Sequence, residues 1–321
     1  MAYVSKIYAN TLASYNAKFL MDGDRLRRLI DAGYPDALRV LQDYGWGDGL
    51  SEVTVDSLLA AETEKLVSFV RENSIGERVN NVLLAPFVFH NAKAAYKGRT
   101  AGADVSRALY GGFTDVSDAV TEKDYSGLPD VLAEALEALD EESETSALSP
   151  RSIDMRITSA MYAYSLAEAK GDKAASKYVK SEIDLKNLLT LFRLRVLGDR
   201  KSLPELFIRG GSLDLGEMTK ALEASAEAFN LFYARSVYSD VFEGVEKGAS
   251  AITELETGID EYLYALTLSG RDDFLSENPF VNYFHRAMLE LKTVRTVLVC
   301  LKNNAADEIK RRLRAVYDRI G

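Results

Sequence analysis

The chain has one cysteine, Cys300, which excludes an intramolecular disulfide framework and any multi-cysteine zinc site. Two histidines, His90 and His285, are too few for a histidine-rich metal centre. Six prolines in 321 residues leave little to interrupt helices. No apolar run approaches the ~20 residues needed to cross a bilayer. The opening Met1-Ala-Tyr-Val-Ser-Lys6 lacks the charged start and apolar stretch of a secretory leader, so a reducing, cytosolic compartment is expected. Basic residues are also in deficit, 39 against 49 acidic, for a net charge of −10. That balance opposes broad nucleic-acid binding, where a basic face supplies most of the affinity.

What is present reads as helix. Apolar residues make up 47% of the chain and charged residues 27%, a folded mixture with ample chain for real cores. Apolar spacing predicts helices over 3–31, broken near Asp22-Gly23-Asp24, and over 35–44, 55–71, 76–98, 126–140, 152–169, 174–198, 215–245, 249–268, 278–302 and 307–319. There is no alternating strand pattern and no βα pattern, so the expected class is all-α. Charge is unevenly placed. Residues 115–144 carry 11 acids and one base, whereas 286–321 carry 9 bases and 4 acids. Two solvated helix faces explain this as well as two ends that meet different partners.

Catalytic patterns fail on inspection. There is no phosphate loop, no His-Glu-x-x-His and no Glu-x-x-His pair. Gly45-Trp-Gly47-Asp-Gly49 follows a helix rather than a strand and reads as a turn, with Trp46 packing the loop. Asp272-Asp273 lacks a third acid at useful spacing and reads as a helix N-cap. Asp140-Glu-Glu-Ser-Glu144 reads as a solvated loop, Cys300 as a small core residue and His285 as a packing residue. His90 falls on the wet side of its helix, where an exposed or interface role is expected.

The strongest pattern is an internal repeat. Asn91, Asn187 and Thr293 sit in similar helical contexts, 96 and 106 residues apart. Tyr110-Gly-Gly-Phe113 and Arg209-Gly-Gly-Ser212 follow the first two at similar distances. Gly210 and Gly211 are read as a tight turn with unusual backbone angles. Three units are expected, 1–113, 114–213 and 214–321. On a wheel of 100° per residue, Lys186, Thr190 and Arg193 form a wet stripe, while Asp184, Asn187 and Arg195 fall among Leu188, Leu191 and Leu194. Asn91 and Arg99 take matching places in the first unit. Glu290 and Thr293 do so in the third, with Leu301 where an arginine would stand. Polar groups on an apolar face need partners, at a cost of about 1–3 kcal/mol each if left unpaired. Asn91, Arg99, Asp184, Asn187, Arg195, Glu290 and Thr293 are therefore read as a register-fixing polar network, with ligand binding by Arg99 or Arg195 as the alternative. The basic tail, Lys310, Arg311, Arg312 and Arg314, is the candidate partner interface.

The ordered set Tyr8-Ala-Asn10, Ala17-Lys-Phe-Leu20, Leu38-Arg-Val-Leu-Gln-Asp-Tyr-Gly45, His90-Asn-Ala-Lys93, Glu182 to Asn187, Arg193-Leu-Arg195 and Glu290 to Arg295 resembles the C subunit of bacterial and archaeal V-type (A-type) rotary ATPases. That family is related to the d subunit of the eukaryotic V-ATPase. Val88 and Thr293 depart from the family's usual acid and asparagine. The resemblance implies three similar helical subdomains in a funnel with pseudo-threefold symmetry. It also implies a non-catalytic central-stalk component, peripheral on the cytoplasmic side of the membrane, that joins the D and F shaft subunits to the proteolipid rotor ring. It implies no cofactor, no nucleotide, no nucleic acid, a monomer on its own and one copy per complex. A helical-repeat scaffold of another pathway is the alternative, and an all-α enzyme a third reading.

Overall fold

The computed structural model describes residues 5–243 and 249–312. Among the described residues every regular element is helical: α1 (Lys6–Asn16), α2 (Gly23–Ala32), α3 (Asp36–Asp43), α4 (Val55–Glu72), α5 (Glu77–Ala101), α6 (Thr114–Glu122), α7 (Asp130–Thr145), α8 (Pro150–Glu168), α9 (Lys173–Leu197), α10 (Leu203–Leu206), α11 (Leu215–Glu223), α12 (Ala226–Ala234), α13 (Ser239–Phe242), α14 (Ala249–Thr267), α15 (Asn278–Lys302) and α16 (Ala306–Arg312). A 3-10 turn, Ser106–Ala108, precedes α6.

Local chemistry sets most of these starts and stops. Asp22, Asp172 and Asp214 accept backbone N–H groups in the first turns of α2, α9 and α11. Thr54 and Ser57 cap α4 reciprocally, and Ser149 caps α8 ahead of Pro150. The chain runs three times through the same motif, a helix of 18 or 19 residues followed by one of 25: α4–α5, α8–α9 and α14–α15. Just past each 25-residue helix a residue takes a left-handed conformation, namely Gly102, Gly198 and Asn304. Glycine and asparagine are the residues that tolerate it.

Two compact units result, one of residues 1–75 with 226–321, the other of residues 76–225. In the first, α1, α4 and α14 pack on α15, and α16 packs on α14 and α15. Leu29, Leu41, Leu58, Val294, Val297 and Leu298 are fully buried there, each side chain contributing about 1.5–3 kcal/mol. Trp46 and Cys300 belong to the same core. In the second unit α8 packs on α5, α7 and α9, and α6 packs on α5. Tyr162, Val179, Ile183 and Ile208 form a core cluster there.

Three expectations change. The segment 215–245 is not one helix but α11, α12 and α13. No glycine or proline marks the breaks. The backbone turns extended at Ala224, and the Ser236 hydroxyl bonds the Tyr233 carbonyl just after α12. Asp140-Glu-Glu-Ser-Glu144 is not a loop but the last turns of α7, where Asp140 and Glu142 pair with Arg99 and Arg156. Asp272-Asp273 does not cap α15. Asp273 instead accepts the Leu275 N–H at 3.1 Å in a turn that ends before the helix starts at Asn278.

Candidate functional site

Each 25-residue helix buries a polar group near its middle. Asn91 on α5 is fully buried and donates from Nδ2 to the carbonyls of Tyr110 (2.9 Å) and Phe113 (3.2 Å). Its Oδ1 accepts the Tyr110 N–H at 2.8 Å. Asn187 on α9 does the same to Ile208, donating to its carbonyl at 2.8 Å and accepting its N–H at 2.9 Å. In both cases a side-chain amide pairs with the peptide group of a downstream loop and satisfies both buried partners.

These bonds set the correspondence between the two loops. Tyr110 matches Ile208, so Gly112 matches Gly210, and both have positive φ, 78° and 104°. The Gly-Gly pairs are therefore offset by one residue. The second glycine of the later pair, Gly211, is not in a left-handed conformation, contrary to the expectation of unusual backbone angles there. It is needed for space: a Cβ on Gly211 would lie 2.1 Å from Asp184 Oδ1.

Asp184, one turn ahead of Asn187, accepts three donors from this loop. These are the Ser212 N–H (2.8 Å), the Leu213 N–H (3.1 Å) and the Ser212 hydroxyl (2.5 Å). The matching residue on α5 is Val88. Two turns beyond each asparagine an arginine reaches the end of the next short helix. Arg99 donates to the Val120 carbonyl near the end of α6, and Arg195 donates to the Leu222 carbonyl at the end of α11 at 2.7 Å. A cation on a helix C-terminus satisfies its orphan carbonyls and opposes its dipole. Arg99 does more. It pairs with Asp140 and bonds the Tyr125 hydroxyl at 2.9 Å, and its guanidinium lies 4.5 Å from the centre of the Tyr96 ring. Tyr125 in turn donates to Asp140 at 2.6 Å. Burial and the bonded Asp140 carboxylate push the Tyr125 phenol up to about 12.

On α15 the corresponding positions are Glu290 and Thr293, both buried, with Leu301 two turns on. Glu290 accepts the Met21 backbone N–H, between α1 and α2, while its Oε2 has no hydrogen-bond partner. Burial raises its carboxyl to about 8; Glu62 pushes the same way, and the Met21 N–H, Arg286 and Arg25 oppose.

His90 is half-buried. Its Nε2 lies 2.8 Å from the Ala108 carbonyl, so Nε2 carries the hydrogen and donates beside the Asn91 clamp. Burial lowers His285 to about 4, leaving a neutral ring packed edge-on to Phe284. Lys310, Arg311 and Arg312 fall in α16, and their side chains, with the whole of Arg314, lie outside the described residues. Among the described residues no three metal-ligating side chains converge, and no helix is long and apolar enough to cross a membrane.

Sequence reasoning missed three polar groups that tie elements together. Asp140 and Tyr125 complete the Arg99 cluster, and the acidic run around Asp140 disguised it as solvated surface. Asn10 is fully buried on α1 and donates to the Phe274 and Ser276 carbonyls at 3.0 and 2.8 Å, tying α1 to the turn before α15. Its position on the buried face of α1, with Ala9 and Ala13, was the available signal.

Comparison with known sequences puts these features in context. A family model described as ATP synthase (C/AC39) subunit matches residues 9–312. The chain is also 28% identical over 148 residues to a protein of Methanococcoides burtonii (strain DSM 6242 / NBRC 107633 / OCM 468 / ACE-M) named as the C subunit of an A-type ATP synthase. That alignment covers 45% of this chain and 42% of the relative.

Proposed function

The chain belongs to the ATP synthase (C/AC39) subunit family, and from that premise we propose that it is the non-catalytic coupling component of a V/A-type rotary ATPase. In this reading it is peripheral on the cytoplasmic side of the membrane. It receives the tip of the shaft, formed by the D and F subunits, and hands torque to the proteolipid rotor ring, one copy per complex. It binds no nucleotide; its work is to transmit force, so its polar chemistry serves rigidity.

The observation that carries this reading is the family match from residue 9 to residue 312, which leaves little chain outside the shared architecture. The geometry supports it. Three runs of a shorter helix followed by a 25-residue helix favour three related repeats in the sequence, divided near 113 and 213, in a funnel with pseudo-threefold symmetry, although the two compact units part between α4 and α5. Asn91, Arg99, Asp184, Asn187 and Arg195 then act as a register-fixing network, with Glu290 and Thr293 as their third-copy counterparts. An open helical-repeat scaffold keeps its first and last repeats apart. Here α1 and α4 pack on α15, so the two ends of the chain share one unit, which speaks against that alternative.

The test is affinity capture of the tagged chain from gently solubilised native membranes, with partners quantified by mass spectrometry. Shaft subunits, catalytic subunits and proteolipid recovered with one copy of this chain are expected. Recovery of the chain alone contradicts the proposal.

A further inference from the structure

Two polar atoms on α15, Glu290 Oε2 and Arg286 Nε, are buried and have no hydrogen-bond partner among the described residues. Their needs are complementary: an ionised carboxylate oxygen only accepts, and a guanidinium N–H only donates. Their residues are four apart, so they stand one turn from each other on the same side of the helix. Arg286 already acts on Glu290, its charge favouring the ionised carboxyl. The other Glu290 oxygen accepts the Met21 N–H, just ahead of Asp22, which caps α2. An acceptor and a donor that suit each other are thus left apart in a buried place, where an unmet bond is costly.

We propose that Glu290 and Arg286 form a proton-operated latch: on losing its proton Glu290 accepts the Arg286 Nε–H at Oε2, and the ionised pair grips the α1–α2 junction through the Met21 N–H. A neutral carboxyl offers a guanidinium a weak acceptor, whereas a carboxylate makes a charge-assisted bond about twice as strong as a neutral one. The separated arrangement therefore belongs to the protonated form and the paired one to the ionised form. The same ionisation strengthens the bond to Met21, so α15 and the start of α2 are held more firmly when the latch is shut.

The surrounding groups leave Arg286 as the partner. Arg25 on α2 also faces Glu290, but it donates to the Phe19 carbonyl at 3.0 Å and lies over the Tyr44 ring. Glu62 on α4 opposes ionisation and is held by the Gly47 N–H at 2.9 Å and by Lys65 at 2.6 Å. Glu72 on α4 and Tyr44 line the same cavity as Glu290. Tyr283, two turns back on α15, bonds Asn16 of α1, and burial pushes its phenol up to about 12, so it stays neutral while Glu290 titrates. Burial holds the Glu290 carboxyl up at about 8. The latch is therefore open in acid, about one-tenth shut at pH 7 and about nine-tenths shut at pH 9.

The test is nuclear magnetic resonance of the full-length protein, labelled with carbon-13 at glutamate Cδ and with nitrogen-15, titrated from about pH 5 to 10. The Glu290 and Arg286 signals are assigned by their loss in E290Q and in R286M. The Glu290 carboxyl is expected to titrate at about 8, and the Arg286 Nε and Met21 amide nitrogens to shift with the same midpoint. R286M is expected to raise that midpoint by about one unit, a tenfold change in proton dissociation. E290Q is expected to leave Arg286 Nε unmoved over the whole range. If one variant does not fold, the other, set against the unaltered chain, still decides. The proposal is overturned if Arg286 Nε keeps its position while Glu290 titrates, if R286M leaves the midpoint unchanged, or if the carboxyl titrates at its ordinary value of 4.5.

Discussion

Asp184 and Glu290 stand at the same place on two 25-residue helices, one turn ahead of the clamp residue Asn187 and of Thr293, yet their surroundings differ. Asp184 sits under a loop that turns two N–H groups and a hydroxyl onto it. Glu290 receives the Met21 N–H and keeps an oxygen without a partner. A buried carboxylate is tolerated where loop backbone supplies donors, and it is driven toward its neutral form where it does not. One unit has thus spent its buried polarity on fixed geometry, while the other retains a group whose charge depends on pH.

The largest expected effect tests that difference directly. Glu290 has a folded pKa raised to about 8 from its ordinary value of 4.5, so the folded chain binds more protons than the unfolded chain between these values. Its contribution is fully present below 4.5 and is lost as pH rises to 8, on the order of 5 kcal/mol in all. His285, lowered to about 4 from 6.5, acts oppositely: its contribution is present above 6.5 and is lost as pH falls to 4. Urea unfolding across this range is expected to show greatest stability near pH 4.5–6.5, and Glu290→Gln to remove the decline on the alkaline side.

Gly211→Val comes next. Its Cβ collides with Asp184 Oδ1, so the chain is expected to lose about 3 kcal/mol or more, read as a lower melting temperature. Asn187→Ala strands the N–H and carbonyl of Ile208 and is expected to cost about 2–3 kcal/mol by chemical denaturation. Thr293→Ala, at the matching place, is expected to cost nearer 1 kcal/mol, and equal losses would erase the contrast between the units. Arg99→Ala is expected to cost about 2 kcal/mol because it leaves Asp140 without its guanidinium, against about 1 for Arg195→Ala. Reversing the charges of Lys310, Arg311, Arg312 and Arg314 is expected to move folding stability least, by about 0.5 kcal/mol or less. It should nevertheless weaken assembly with partner proteins at physiological salt.

The helical class and most element boundaries were legible because helices announce themselves in side-chain spacing and caps. Asp22 and Pro150 mark starts, and Gly102 and Gly198 mark ends. The helical wheel likewise singles out Asn187 and Arg195, since polar residues among leucines stand out. Their acceptors did not, because the carbonyls of Ile208 and Leu222 carry no side-chain signature. The same limit hid the end of α11, whose Leu222 carbonyl is capped by an arginine 27 residues upstream in sequence. Short α6 and α10 escaped because one or two turns give too little periodicity to read. The Gly-Gly pairs misled by one residue, since matching letters align by type whereas the Asn91 and Asn187 clamps align by peptide group.

The most direct test of the coupling role is ATP-driven ion uptake by vesicles carrying the intact complex, with the chain removed and then restored. Removal is expected to leave ATP hydrolysis by the catalytic head but abolish ion uptake, and adding back the purified chain is expected to restore it. Ion uptake that persists at full rate without the chain would contradict the account.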